Sequence, residues 1–179
     1  MLAFLVAATI IAAVAALIDF RTGHIPNWLT LGALLLAPAG HVANVFVRHA
    51  GATAALFSVG WSLAGATMCF VVLYILYVAN ATGGGDVKLF AAIGALVHPS
   101  LALDTLLAAF SAFVVLSAFV LWRRGRLGQM LRNTRQIVKN RFLPMDARVK
   151  IEQRALNEVR MGPAIFVGTV IVLAENVPR

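Results

Sequence analysis

Charge is scarce in this chain. Only 12% of its 179 residues are Asp, Glu, Lys or Arg, about half the share of an ordinary soluble domain. Cysteine is scarcer still. Cys69 stands alone in an apolar stretch, which excludes an intrachain disulfide and a cysteine-based zinc site; it reads as a small packed core residue. The four histidines, His24, His41, His49 and His98, are scattered at segment ends. They make no metal-ligand spacing, and interfacial placement suits them better. No metal and no cofactor is expected.

What fills the chain instead is apolar sequence: 61% hydrophobic residues and a mean hydropathy of +0.88. They come in runs at 2–18, 28–47, 52–79, 87–97, 101–121 and 163–177. A helix needs about 20 apolar residues to cross a bilayer, so the fourth run, bounded by Pro99, and the sixth are the short ones. The first run lacks the positively charged start and the small-x-small cleavage site of a signal peptide before Asp19 and reads as a membrane helix. Pro38 marks an expected kink in the second. The fold class is therefore all-α, a polytopic membrane bundle of about six transmembrane helices, with 1–179 as a single integral domain.

The net charge of +8 suggests nucleic acid at first sight. Yet eleven of the fifteen Lys and Arg fall between Arg123 and Arg160, which suits a cytoplasmic loop better than a DNA-binding face. Within it Leu127, Met130, Leu131, Ile137, Val138 and Phe142 recur at helical spacing opposite basic residues. That pattern predicts an amphipathic helix lying on anionic membrane lipid. Pro144 ends it, and Asp146 is placed to cap a second helix. No nucleic-acid partner is expected, and nothing in the sequence specifies an oligomeric state.

Topology then constrains the chemistry. Asp19 follows the first run, and the stretch NATGGGDVKLF, residues 80–90, precedes the fourth. Two crossings separate these places, so both face one side. If the fourth run spans, thirteen Lys and Arg lie on that side with the basic loop and two lie opposite; if it does not, the loops part and the division is twelve to three. The charge rule favours the first arrangement slightly. An Asp near the bilayer interior costs at least a few kcal/mol, so Asp19 and Asp86 call for a reason. Taken singly, Asp19 reads as a flank residue paired with Arg21, and Asp86 as an N-cap after a glycine turn. Together they read as a dyad sharing one proton, one member an acid and the other a base. Such a pair activates water against a peptide carbonyl without a nucleophilic side chain. Paired carboxylates also serve a small transporter or channel subunit that binds cations or relays protons. A structural scaffold would leave both aspartates idle.

The residues also carry a resemblance. Asp19, Arg21, Ile25, Pro26, Asn27, Trp28, Leu29 and Thr30 resemble the first signature of the type IV prepilin peptidases. Gly83 to Leu89, GGGDVKL, is similar to their second, the GxGD motif of intramembrane aspartic proteases. MGPAIFVG, Met161 to Gly168, resembles the segment that opens their last helix, with Met161 where an aromatic is more usual. The resemblance implies an enzyme of the inner, cytoplasmic membrane. It would cut the basic leader of a prepilin or pseudopilin after a glycine, at the cytoplasmic face, with Asp19 and Asp86 as the catalytic pair. Gly83, Gly85, Lys88, Pro26 and Asn27 carry the motifs around them. With no room for a methyltransferase part and no four-cysteine loop, the chain is similar to the short, peptidase-only type of tight-adherence (Flp pilus) systems; archaeal preflagellin peptidases are similar too. Lys88, two residues from Asp86, should point away from it on a helix. Arg21 reads as a membrane-edge charge, and Asn27 as the cap of the second helix. Asp104 and Glu175 should lie on the opposite face.

Overall fold

The computed structural model describes residues 1–79, 81–125 and 160–177, with the single residues 128, 132, 135 and 136. Among the described residues there are six helices and no strand: α1 (Leu2–Thr22), α2 (Asn27–Val47), α3 (Ala52–Val78), α4 (Gly84–Leu96), α5 (Pro99–Arg123) and α6 (Gly162–Asn176). α1, α2, α3 and α5 have 21 to 27 residues and are long and apolar enough to cross a membrane. Their outer faces carry large apolar side chains such as Ile10, Leu35, Leu56 and Val115, which only a lipid surround makes unremarkable in such numbers. The chain is thus a multi-pass, all-helical membrane protein. α4 and α6, with 13 and 15 residues, extend only about 20 Å each, short of the roughly 30 Å hydrocarbon core.

The chain divides into two units, 1–113 with 161–179, and 114–160. In the first, α4 is the buried element. Val87 and every residue from Leu89 to Leu96 are buried, and a helix apolar on all sides requires neighbours on all sides. α3 and α2 supply most of them, and Phe90 stacks at 6.4 Å on Phe110 of α5. The approach of α3 is possible because Gly65 and Gly94 meet backbone to backbone; a Cβ on either would strike the other's carbonyl. Cys69 is buried, and its Sγ lies 3.0 Å from where a Cβ on Gly94 would stand. α1 packs along α6, and Gly168 of α6 lies against the Ala109 backbone of α5.

Some boundaries differ from the sequence expectation. Pro99 opens α5 rather than merely closing the segment before it, because the first helical turn is where a missing N–H costs nothing. α1 runs on past residue 18 and takes Asp19 into its last turn. His41 is buried rather than interfacial: its ring stacks on Phe4 at 3.9 Å, and Nε2 lies 3.2 and 3.0 Å from the carbonyl oxygens of Ala95 and Leu96. Those carbonyls end α4 and need donors.

The described part of the second unit is the end of α5. There the Arg123 guanidinium sits 5.7 Å from the centre of the Phe119 ring, and Gly125 takes the left-handed conformation at φ 64°. Apart from the single residues named above, the amphipathic helix expected over 127–142 and the second one from Asp146 lie outside the described residues.

Candidate active site

Asp19 sits in the last turn of α1 and is 7% exposed, so it is not the solvated flank residue of the simplest reading. α1 ends just beyond it. Gly23 adopts φ 71° and returns its N–H to the Asp19 carbonyl at 2.8 Å; glycine enters this left-handed region without the penalty that a Cβ brings. The chain turns at once, with the His24 N–H donating to the Thr22 hydroxyl at 3.3 Å. Pro26, extended at φ −71° and ψ 139°, leads into α2.

Asp86 arrives from the other motif. α4 begins at Gly84, earlier than the apolar run indicates, so Asp86 is its third residue and not its cap. Gly83 holds the capping position with extended backbone, and its N–H donates to Asp86 Oδ2 at 3.2 Å. A carboxylate in the first turn that reaches back to the entering N–H is half of a capping box; glycine has no side chain to complete the other half.

The two motifs are brought together by short contacts. Ile25, buried in the α1–α2 turn, covers Gly85, where a Cβ would stand 3.2 Å from the Ile25 Cβ. Lys88 Nζ donates to Asn27 Oδ1 at 2.9 Å. Asn27 therefore does not cap α2 with its side chain, and Lys88 is tied across to the first turn of α2. Tyr77 of α3 lies 3.6 Å from where a Gly84 Cβ would stand. The Thr82 hydroxyl oxygen is buried without a hydrogen-bond partner among the described residues. One contact was illegible beforehand: Gly162, the first residue of α6, lies directly on the Asp19 side chain.

Asp86 stands in the first turn of α4, outside the four long spans. It keeps part of its surface accessible. Even so, burial pushes its carboxyl from the usual carboxylate range up to about 6; the Gly83 N–H works against that rise and the charge of Asp19 adds to it. Arg21 and His24 are exposed at the rim. Asp104 and Glu175 are exposed and distant along the helices. Ten residues of α4, about 15 Å, separate Asp86 from the end where α5 begins, and thirteen residues of α6 separate Glu175 from Gly162.

Several membrane-crossing helices with two carboxyl groups gathered at neighbouring helix ends define the class, a multi-pass membrane protein with an internal acidic site. The family model of the type IV leader peptidases matches residues 6–128, which include both aspartates and end before α6. The chain belongs to the type IV leader peptidase family, and membership implies a protease of prepilins. No curated protein and no solved structure matches it.

Proposed function

We propose that this leader peptidase is an aspartic endopeptidase with Asp19 and Asp86 as its acid–base pair. It removes the basic leader of Flp-like prepilins at the cytoplasmic face of the inner membrane. The observation that carries the reading is the meeting of the two aspartate motifs, drawn together by Ile25 on Gly85 and Lys88 on Asn27, with Asp19 buried and its charge reaching Asp86. Two neighbouring carboxyl groups in unlike surroundings divide into an acid and a base. Asp86 holds the proton, and Asp19 takes one from a water molecule whose oxygen adds to the scissile carbonyl carbon. Asp86 then gives its proton to the departing amine as the C–N bond breaks. A proton passed from Asp19 to Asp86 restores the starting state. No other group is needed in the balance.

The eleven Lys and Arg between Arg123 and Arg160 make that segment the basic cytoplasmic part of the peptidase in this reading, of a charge that suits anionic lipid. Cysteines introduced singly at Thr22 and Ala81, both exposed, label from the same side, that of the basic loop.

The test is cleavage of a co-expressed prepilin, read as a mobility shift. Asp19→Asn and Asp86→Asn each abolish it while the protein still inserts and accumulates, since removal of one member of an acid–base unit costs roughly 10²–10⁴-fold. The double variant is no worse than either single one, because the two act as a unit. Asp104→Asn and Glu175→Gln cleave normally. Substantial cleavage by either single Asn variant refutes the mechanism.

A further inference from the structure

Each candidate aspartate has a glycine laid against its Oδ2 atom. For Asp86 the glycine is Gly83, three residues away, where a Cβ would stand 3.3 Å from Oδ2. For Asp19 it is Gly162, from a helix far off in sequence and beyond the residues that the family model matches. The second contact is the tighter one. A Cβ on Gly162 would stand 2.7 Å from Oδ2, 3.1 Å from Cβ and 3.3 Å from Cγ of Asp19. The whole side chain, rather than its tip alone, runs across the bare α carbon.

Asp19 is buried in the last turn of α1, whose Ala8, Ala12 and Ala15 are buried too. α6 is held from behind, because six residues further on, about 9 Å, Gly168 already touches the Ala109 backbone of α5. An added methyl group at 162 would be relieved most easily by turning the Asp19 carboxyl.

We propose that Gly162 is a positioning residue of the peptidase: it lets the first turn of α6 lie on the Asp19 side chain and so fixes the direction in which that carboxyl meets Asp86. The proposal rests on the reading of Asp19 and Asp86 as the acid–base pair. Acid–base chemistry tolerates little misplacement, and an error near 1 Å costs on the order of 10²-fold.

The experiment compares the full-length protein with Gly162→Ala, purified in detergent, on a prepilin substrate. The expected result is a fall in kcat of about 10²-fold with KM within twofold, together with a displaced pH profile of kcat. Gly60→Ala, whose added Cβ meets nothing within 4 Å, is the control and changes neither. Wild-type kcat and pH profile in folded Gly162→Ala overturn the proposal. Where Gly162→Ala also lowers the melting temperature, the cost should shrink in an Asp19→Ala background, where the Oδ2 and Cγ contacts are gone and only the Cβ contact at 3.1 Å remains; an undiminished cost there overturns the proposal as well. This thermal cycle needs no activity. Cleavage retained by Asp19→Asn would therefore remove the acid–base reading while leaving the contact between Gly162 and Asp19 open to direct measurement.

Discussion

At its C-terminal end α4 gives its last carbonyls to dedicated donors: His41 Nε2 to Ala95 and Leu96, and the Ser62 hydroxyl to Ala95 at 2.6 Å. At its N-terminal end, ten residues away, the same helix carries a carboxyl raised to about 6 and follows a buried hydroxyl with no partner among the described residues. At one end the carbonyls of Ala95 and Leu96 have donors; at the other the Thr82 hydroxyl has no partner among the described residues. A helix end that serves only the fold is expected to resemble the first, since buried polar groups without partners cost free energy. The contrast teaches that the N-terminal end is kept for something besides folding, and that the saturated end is what holds α4 still while it does so.

The hardest blow to this arrangement falls between the two ends. Gly94→Ala and Gly65→Ala each place a methyl on an opposing backbone carbonyl, which cannot rotate aside as a side chain does. α3 and α4 must separate, and overpacking of this kind costs typically about 1–3 kcal/mol or more. Both variants should accumulate poorly and melt well below the wild type in detergent. Normal melting would mean that the helix crossing does not set the position of α4.

Next in size are the caps themselves. His41→Ala orphans the Leu96 carbonyl, at about 1–3 kcal/mol for a group left unsatisfied, whereas Ser62→Ala leaves Ala95 with His41 Nε2 and costs less. Thermal unfolding should register the loss, while the folded fraction keeps its kcat. A kcat that falls without any change in melting would show that the two ends are not separable, and that the aromatic cluster of Phe4, His41, His98 and Trp61 reaches the chemistry.

The sequence makes one side of this contrast easier to see than the other. Asp86 was visible because an acid beside three glycines interrupts an apolar sequence, and Asp19 because it ends an apolar run. The six helices were visible for the same reason, as long runs between turn residues. His41 was not, because its partners lie 54 and 55 positions away and a histidine inside a helix announces nothing about what it caps. The burial of Asp19 was missed because α1 is prolonged by Gly23, whose left-handed turn permits a helix end there without dictating it. Lys88 is legible only from its own helix, whereas its partner, Asn27, is on α2. Gly65, Gly94 and Gly162 are plain glycines until the opposing backbone or side chain is in place.

A smaller effect distinguishes the ends by pH. The Asp86 carboxyl, at about 6 against an ordinary 3.8, binds its proton more tightly in the folded protein than in the unfolded chain. Folding is therefore favoured as pH falls through 6, the gain is complete below 3.8, and it is lost as pH rises through 6. The wild-type melting temperature should be higher at pH 5 than at pH 7.5 by more than that of Asp86→Asn, so that the difference between the two proteins isolates this carboxyl from the histidines. In cleavage, the alkaline limb of kcat/KM should fall above about pH 6 rather than near 4. An identical pH dependence of melting in both proteins would remove the unsatisfied carboxyl from the contrast.

The smallest effect concerns Thr82, beside the glycine run. Its hydroxyl is buried without a partner among the described residues, whereas Thr22, Thr105 and Thr169 each donate to a nearby carbonyl. Valine has the shape of threonine without the polar atom. Thr82→Val should therefore relieve the desolvation of an unpaired hydroxyl and stabilise the protein by about 1 kcal/mol, which for a chain of this size moves the melting temperature up by roughly 2–4 °C. The same substitution at Thr105, whose hydroxyl bonds the Leu101 carbonyl at 2.7 Å, should move it down. The opposite signs follow from the different satisfaction of the two hydroxyls. If Thr82→Val melts lower instead, its hydroxyl has a partner of its own, and the N-terminal end of α4 owes its unrest to Asp86 alone.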